Sequence, residues 1–246
     1  MTLDEIAQAL FPGGHTLKTD GSGAVGGEAT TGTGTRVGVV GIAGGNAVGI
    51  DAAFAMAETV LAHIAGPNPG ADKLPLVMLV DTQSQAMTRR DELLGLNEYL
   101  AHLCKCLALA CFSGHRTIGV LYGPAAAGAF IATALATDIL IAVPGAAPSV
   151  MDLPSIARIT KLPLEKLQKM AESTPIFAPG LDPLATTGAV SDIWNDPATF
   201  AGHLDALLAS EPPDKDLRDQ LGAERKGRLK AFSIAARVFE AASGHD

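Results

Sequence analysis

The stretch from Thr117 to Ala142, TIGVLYGPAAAGAFIATALATDILIA, offers chemistry through its backbone and very little through its side chains. Thr117 to Tyr122 is an apolar run with β-branched Thr117, Ile118 and Val120, which predicts a buried strand. Gly123-Pro124 breaks it. Small residues follow from Ala125 to Ala129, Gly128 among them, and open an Ala-rich helix to about Ala136. A second apolar run, Ile139 to Val143, predicts another strand. A helix N-terminus presents free backbone N–H groups and the positive end of the helix dipole. Side chains no larger than methyl let a ligand oxygen approach those groups. Fixed donors in a dry site stabilise an oxyanion, and losing one typically costs ~100- to 1,000-fold in rate. The same small residues also suit plain packing of a helix on a sheet, so the pattern alone leaves both readings open.

A second stretch sits where it could serve the same site. Leu76 to Val80 predicts a buried strand that ends in Asp81-Thr82-Gln83-Ser84-Gln85. In open α/β sheets ligands collect beyond the carboxyl ends of the strands. The alternative is a capped helix start, with Asp81 or Thr82 as the cap. Arg89-Arg90-Asp91-Glu92 begins a helix to about Ala110, with its mixed charges on a solvated face or at a subunit interface. Cys104, Cys106 and Cys111 fall in that helix at spacings that fit neither a zinc site nor a redox pair. They read as reduced structural thiols. His102 and His115 are near in sequence, but no triad pattern supports them. No conventional acid/base pair, metal cluster or P-loop is present. The GxG fragments between Pro12 and Thr35 do not follow a strand and open a helix, which rejects a dinucleotide site.

The elements that must position these loops follow from periodicity. Residues 2 to 11 predict an amphipathic helix with Leu3, Ile6, Ala7 and Leu10 on one face. Pro12 to Thr35 is loop or short edge strands. Arg36 to Ala43 is a strand, Gly44-Gly45-Asn46 a turn, and Ala47 to Ile50 an extended hairpin arm. Asp51 to His63 is a helix, ended by Gly66-Pro67-Asn68-Pro69-Gly70. Pro144 to Pro148 turns into a short strand at Ser149-Val150-Met151. Ile156 to Ile159 and Leu164 to Ala171 are helical, Pro175 and Pro179 bracket an extended piece, and Phe200 to Leu208 is a helix. Glu211-Pro212-Pro213-Asp214 is a linker, with helix from Leu217 onward. Arg225, Lys226, Arg228, Lys230 and Arg237 lie without an acid between them, either to receive a phosphate or acidic partner or as a solvated helix.

The totals bound the class. The 246 residues are 48% hydrophobic but only 4% aromatic, so Ala, Val, Ile and Leu must build the core, as in helices on a largely parallel sheet. A net charge of −8 argues against nucleic acid as a partner. No apolar run reaches the ~18 residues of a membrane span. MTLDEIAQALF carries acids and no basic region, so a secretory signal is not expected and a cytoplasmic location is.

Gly123-x-Ala125-x-x-Gly128-Ala129, a helix, and then Thr137-Asp138 with an apolar strand resembles the oxyanion turn of the crotonase and carboxyltransferase superfamily. LPLVMLVDTQSQ, RRDELLG and the helix NEYLAHLCKCLALA are similar to the carboxyltransferase strand, loop and helix. VMDLPSIARITKLPLEKL and TPIFAPGLDPLATTGAV resemble the gamma subunit of biotin-independent malonate decarboxylase. The resemblance runs from about Arg36 to about Trp194.

It implies an α/β fold of the crotonase-like (ββα superhelix) carboxyltransferase type at 36–208. A helix and Gly/Thr-rich segment at 1–35 precede it, and a linker and helix at 209–246 follow. It implies decarboxylation of a malonyl thioester on an acyl carrier protein, with a beta subunit sharing the active site and an alpha transferase subunit in the assembly. The substrate would ride on a coenzyme-A-like prosthetic arm. No metal, biotin or other cofactor is expected on this chain. By the same resemblance Gly123, Ala126, Ala127, Gly128 and Ala129 form the oxyanion site, and Gln83, Ser84, Gln85, Val150 and Met151 line the substrate. Asp138 would fix backbone between helix and strand.

Three positions depart from the family pattern. Ala127-Gly128-Ala129 replaces an expected Ser-Gly-Gly, Pro124 follows the first glycine, and Ser84 stands where a glycine is usual. Backbone donors survive such changes, whereas a Ser hydroxyl role at 127 would not. Two alternatives remain. One is the alpha-type subunit of a biotin-dependent carboxyltransferase, which a Gly-Ala-Tyr continuation in place of DTQSQ would favour. The other is a non-catalytic scaffold that completes a beta subunit.

Overall fold

The computed structural model describes residues 1–66, 73–175, 178, 180–212 and 215–243. The expected turn at 67–70 and the piece between Pro175 and Pro179 lie wholly or largely outside them, as does part of the expected linker at 211–214. The chain divides into two compact units, Met1–Val150 with Ile193–Pro212, and Met151–Asp192 with Pro213–Asp246. The parts implied by the resemblance, 1–35, 36–208 and 209–246, are drawn on another basis; residues 1–35 contribute a helix and strands to the first unit.

The first unit begins with α1 (Leu3–Leu10), followed by β1 (Lys18–Thr19), β2 (Ala24–Thr30), β3 (Arg36–Gly45), α2 (Ile50–Ala65) and β4 (Leu76–Thr82). Then come α3 (Arg89–Leu93), α4 (Leu96–Phe112), β5 (Thr117–Ala126), α5 (Ala127–Ala132), a 3-10 turn (Ala134–Ala136), β6 (Ile139–Ala142) and β7 (Ala147–Ser149). A capping box starts α1: Glu5 N–H donates to Thr2 Oγ1, and Thr2 N–H to Glu5. The Gly/Thr-rich segment resolves into the second of its two expected forms, with β2 antiparallel to β3. Strands β3, β4, β5 and β6 are parallel neighbours in that order.

Alternation along these strands divides the core. Val37, Val39, Val77, Leu79, Ile118, Val120, Tyr122 and Ile141 face Ile6 and Leu10 of α1. Phe200 and Leu204 of a later helix, at 200–209, complete that layer. Buried Met56, Val60, Leu103 and Leu107 of α2 and α4 cover the other face. Removing one such large side chain costs ~2–5 kcal/mol.

The helix expected from Arg89 to Ala110 is two helices. Gly95, at φ 79°, divides it. The charged start is also more than a solvated face. Arg90 donates to both oxygens of Asp51, at 2.8 and 3.1 Å, on the surface. Asp91 is buried and structural. It accepts from Ile50 N–H at 2.9 Å, at the start of α2, and from the Thr88 hydroxyl. Thr88 in turn caps α3 by accepting from Asp91 N–H at 3.1 Å.

The second unit contains α6 (Leu153–Thr160), α7 (Leu164–Ser173), α8 (Leu181–Thr186), α10 (Arg218–Glu224) and α11 (Ala231–Ser243). The helix at 200–209 is α9, and β8 (Asp192–Ile193) precedes it. Two of the basic residues seen in the sequence are consumed here. Arg225 donates to Ala185 O, Val190 O and Ser191 O at 2.6–2.9 Å. Arg228 donates to Thr187 O and Arg218 O at 2.8 and 3.0 Å. Neither guanidinium is an open phosphate receptor; each closes backbone carbonyls that a helix-rich unit leaves unpaired.

The hydrogen bonds from Ile50 and Thr88 hold the Asp91 carboxyl below its ordinary value. A depressed carboxylate stabilises the fold above its unfolded pKa of about 3.9, and that stability is lost as pH falls through the folded value. Asp91→Ala should therefore lower unfolding free energy at pH 7 by about 1–3 kcal/mol. It should also blunt the acid sensitivity of the wild type below about pH 4. Urea midpoints at pH 7 and pH 3.5 measure both effects.

Candidate active site

The site is built where β5 changes neighbours. Residues 118–121 of β5 pair with β6, and 124–126 pair with β7. On its other side, Leu121 pairs with Val80 and Ala125 with Thr82. Between those two pairs β4 has Asp81 alone, while β5 has Tyr122, Gly123 and Pro124. The expected break at Gly123-Pro124 is thus a bulge within a longer strand, not its end. Pro124 is exposed, where its missing N–H costs the ladder little. Gly123 is buried against the Asp81 carboxylate, which occupies the space any Cβ there would need. The other Asp81 oxygen accepts from Gly45 N–H at 3.1 Å.

Ala126 ends the strand in extended conformation, at φ −131° and ψ 155°, and caps α5. Ala127 then takes φ 53°, a left-handed backbone that costs a residue with Cβ ~1–2 kcal/mol. Gly128 N–H donates to Gln85 Oε1 at 2.9 Å. Ala129 and Phe130 are buried beneath. The helix is shorter than its Ala-rich sequence predicts, because Thr133 leaves helical geometry at φ −111°, ψ −88°. Its hydroxyl donates to Ala129 O at 2.7 Å.

The loop after β4 is held from below. Thr82, buried, donates from Oγ1 to Asn46 O at 2.6 Å. Val48 N–H donates to Ser84 O at 2.9 Å, and Ala86 N–H to Val48 O at 2.8 Å. The expected hairpin arm at 47–50 is instead this parallel bridge between Val48 and Gln85. Neither Asp81 nor Thr82 caps a helix; Thr88 does. Ser84 is not among the residues with positive φ, so its Cβ brings no backbone strain at the position where the resemblance implies a glycine.

The structure therefore brings Ser84, Gln85, Gly123 and Ala126–Ala129 together at the carboxyl ends of β4 and β5. The strand expected at 149–151 is β7, two residues earlier. Val150 follows Ser149, which pairs with Ala126, so the exposed Val150 side chain lies beside the turn. Gln83 is exposed and makes no hydrogen bond to the turn among the described residues. Met151 is exposed and belongs to the second unit. Sequence reasoning missed Asp81 as the wedge behind Gly123 and Asn46 as an anchor of the loop. Nothing in residue type marks either role; the register of β4 with β5 sets the first and that of β3 with β4 the second.

The remaining titratable groups offer no ready acid, base or nucleophile, although His115 Nε2 and the Tyr122 hydroxyl are buried without a hydrogen-bond partner among the described residues. Asp138 accepts from Thr117 N–H and Oγ1 at 3.0 and 2.9 Å, fixing helix to strand as expected. Burial raises the thiols of Cys104 and Cys106. Cys111 is pushed up to about 11 by burial and by the Asp138 carboxylate, so none is a ready nucleophile. His115 Nδ1 pairs with Leu74 O at 2.9 Å. Burial, with the Asp81 charge, raises the Tyr122 phenol. Among the described residues no three metal-ligating side chains converge.

A parallel sheet with a helix springing from an oxyanion-type turn defines a crotonase-like carboxyltransferase fold. Known structures agree: the transcarboxylase 12S core superposes with TM-score 0.65 over 86% of this chain and 42% of that one, at 21% identity, a likeness of fold. The profile of the malonate decarboxylase gamma subunit matches residues 43–242, and the chain belongs to that family. A subunit of the Pseudomonas malonate decarboxylase hetero-tetramer in complex with coenzyme A is 26% identical with TM-score 0.81, covering 100% of both chains. The Pseudomonas MdcD-MdcE hetero-dimer gives 26% identity and TM-score 0.76 over 96% of this chain and 98% of that one. A malonyl-S-ACP:biotin-protein carboxyltransferase, MADD of Malonomonas rubra, is 28% identical over 204 residues, 77% of this chain and 70% of the relative.

Two substitutions probe this geometry. Gly123→Ala forces Asp81 aside and should destabilise the protein by about 1–3 kcal/mol. Ala127→Gly, which elsewhere in a helix would destabilise, should here leave stability unchanged or raise it by up to about 1 kcal/mol, because it relieves a left-handed alanine. Thermal denaturation of both variants reads the two signs.

Proposed function

We propose that this chain, with a beta subunit, decarboxylates a malonyl thioester carried by an acyl carrier protein, giving the acetyl thioester and CO2 without biotin. The observation that carries this reading is the turn at 123–129. From Ala125 to Ala129 it sets backbone donors among side chains of methyl size or smaller, at the carboxyl ends of β4 and β5, in a chain of this family. Loss of CO2 leaves an electron pair on the methylene carbon and negative charge on the thioester oxygen. The reaction asks for preorganised donors at that oxygen and a pocket that solvates the departing carboxylate poorly. It asks for no strong base or nucleophile, which fits the raised thiols and the fixed Asp138. The net step takes up one proton from solvent at the methylene carbon. Backbone N–H groups around Ala126 to Ala129 that no protein group already holds act as donors, Gly128 N–H being taken by Gln85 Oε1 at 2.9 Å, with Gly123 shaping the turn. Ser84, Gln85 and Val150 line the acyl group, with Gln83 at its margin. A coenzyme-A-like arm on the carrier brings the substrate, and an alpha transferase subunit exchanges the acyl groups on that arm.

A second reading is favoured by the Malonomonas relative, named as a carboxyltransferase to a biotin protein. There the same donors hold the enolate while the carboxyl group passes to biotin.

CO2 release from a malonyl thioester, by this chain alone, with its beta partner, and with partner plus biotin, decides between them. Release only with the partner and without biotin is the expected result. Strict biotin dependence favours the second reading. Gly128→Val tests the turn. Its Cβ would stand 3.3 Å from Gln85 Oε1 and 3.6 Å from Leu100 Cδ1, with further methyl groups beyond. Turnover should fall at least ~100-fold with the complex intact. Unchanged turnover would assign the chain a scaffold role.

A further inference from the structure

Gln85 has a pinned backbone and a side chain with a single tether. Its neighbours are fixed on Val48 from both sides, and Ser84 Oγ donates to Gln85 O at 2.8 Å. The half-buried carboxamide reaches across to α5, where Oε1 accepts from Gly128 N–H at 2.9 Å. A backbone N–H only donates, so the end of the amide on Gly128 must be oxygen. That one contact fixes the flip of the amide. The other end, Nε2, then carries two N–H donors, and neither has a partner among the described residues.

This arrangement changes which donor serves the oxyanion. Gly128 N–H is engaged by Gln85, so it is not itself open to a substrate oxygen. We propose that Gln85 is a catalytic donor: Gly128 N–H holds Oε1, and Nε2 donates to the thioester oxygen of the malonyl group. The inference rests on the decarboxylase reading above. As the bond between carboxyl and methylene carbons breaks, CO2 leaves and the electron pair delocalises onto the thioester oxygen. Gln85 Nε2–H stabilises that charge without giving up its proton, and the methylene carbon is protonated from solvent. An amide whose oxygen accepts a hydrogen bond is a stronger N–H donor, so the Gly128 contact both orients and polarises the group. Leu100, also adjacent to Gly128, presents a methyl group there, which limits competing water.

The test uses the assembled complex of this chain with its beta partner and malonyl-coenzyme A as the thioester. Gln85→Glu keeps an oxygen for Gly128 N–H but replaces the N–H donors with a carboxylate oxygen. Its kcat should fall ~100- to 1,000-fold while KM changes little, since the lost interaction strengthens only as charge develops. Gln85→Met, similar in length and without an amide, should lose kcat comparably and elute as the same complex, with a melting temperature only slightly lowered by the freed Gly128 N–H. Wild-type kcat in Gln85→Glu overturns the inference alone. So does equal or faster turnover in Gln85→Met, which would make the carboxamide an obstruction that substrate displaces. A loss that follows KM and melting temperature instead of kcat overturns it in favour of a structural tie. Absence of CO2 release from the wild-type complex overturns the decarboxylase reading and this inference with it.

Discussion

The contact between Asp81 and Gly123 is the constraint from which the site follows. One residue of β4 must face three of β5, and the strand can absorb the excess only by bulging outward at Gly123-Pro124. The bulge takes β5 off β6 and onto β7, so its last residues, 124–126, run on between β4 and β7 at the carboxyl end of the sheet. The helix α5 starts there. A side chain at 123 would push Asp81 away, and Asp81 also holds Gly45 N–H at the end of β3. The carboxylate thus ties the end of β4 to that of β3 and leaves room on β5 only for a glycine. The loops that carry Gln85 and the turn at 126–129 inherit their relative position from it.

The strands and most helices were legible because their signals are local. Alternating or continuous Val, Ile and Leu marked β3 to β6, and the 3.6-residue period marked α1, α2 and α4. Ends and interruptions were less legible where long-range contacts override propensity. Alanine favours helix, yet α5 stops at Ala132, where Thr133 takes φ −111° and ψ −88°. Pro124 reads as a break, yet β5 passes through it because β7 arrives alongside to pair. Gly95 was the one interruption visible in principle, since a glycine between two helical runs admits the positive φ that divides them.

The turn itself was legible through small residues and their spacing. Its partners were not, since they are brought in by register. Ser84 and Gln85 reach the turn only because Val48 bridges the loop from below, and Val48 sits in what the sequence presents as a hairpin arm. The basic residues after 225 illustrate the reverse error. A charge run suggests a surface for ligands, but a guanidinium with five N–H donors is also the best available closure for several carbonyls at once. Arg225 and Arg228 serve that second use, and their neighbours on the same stretch do not.

A site made of backbone donors is indifferent to many of the substitutions that would disable a side-chain triad. Alanine at 127 and 129, where the resemblance implies Ser and Gly, still presents backbone N–H groups, so that departure is not by itself evidence of lost function. The cost appears in conformation instead. Ala127 holds φ 53°, a strain a glycine would not carry, and the fold maintains it. That strain is sustained by what flanks it: β7 fixes Ala126 on one side, and Gln85 fixes Gly128 on the other. The residue between two such anchors has no room to relax. Its conformation is set by the positions of its neighbours, and those positions are the ones that aim α5 and its first donors at the carboxyl ends of the sheet.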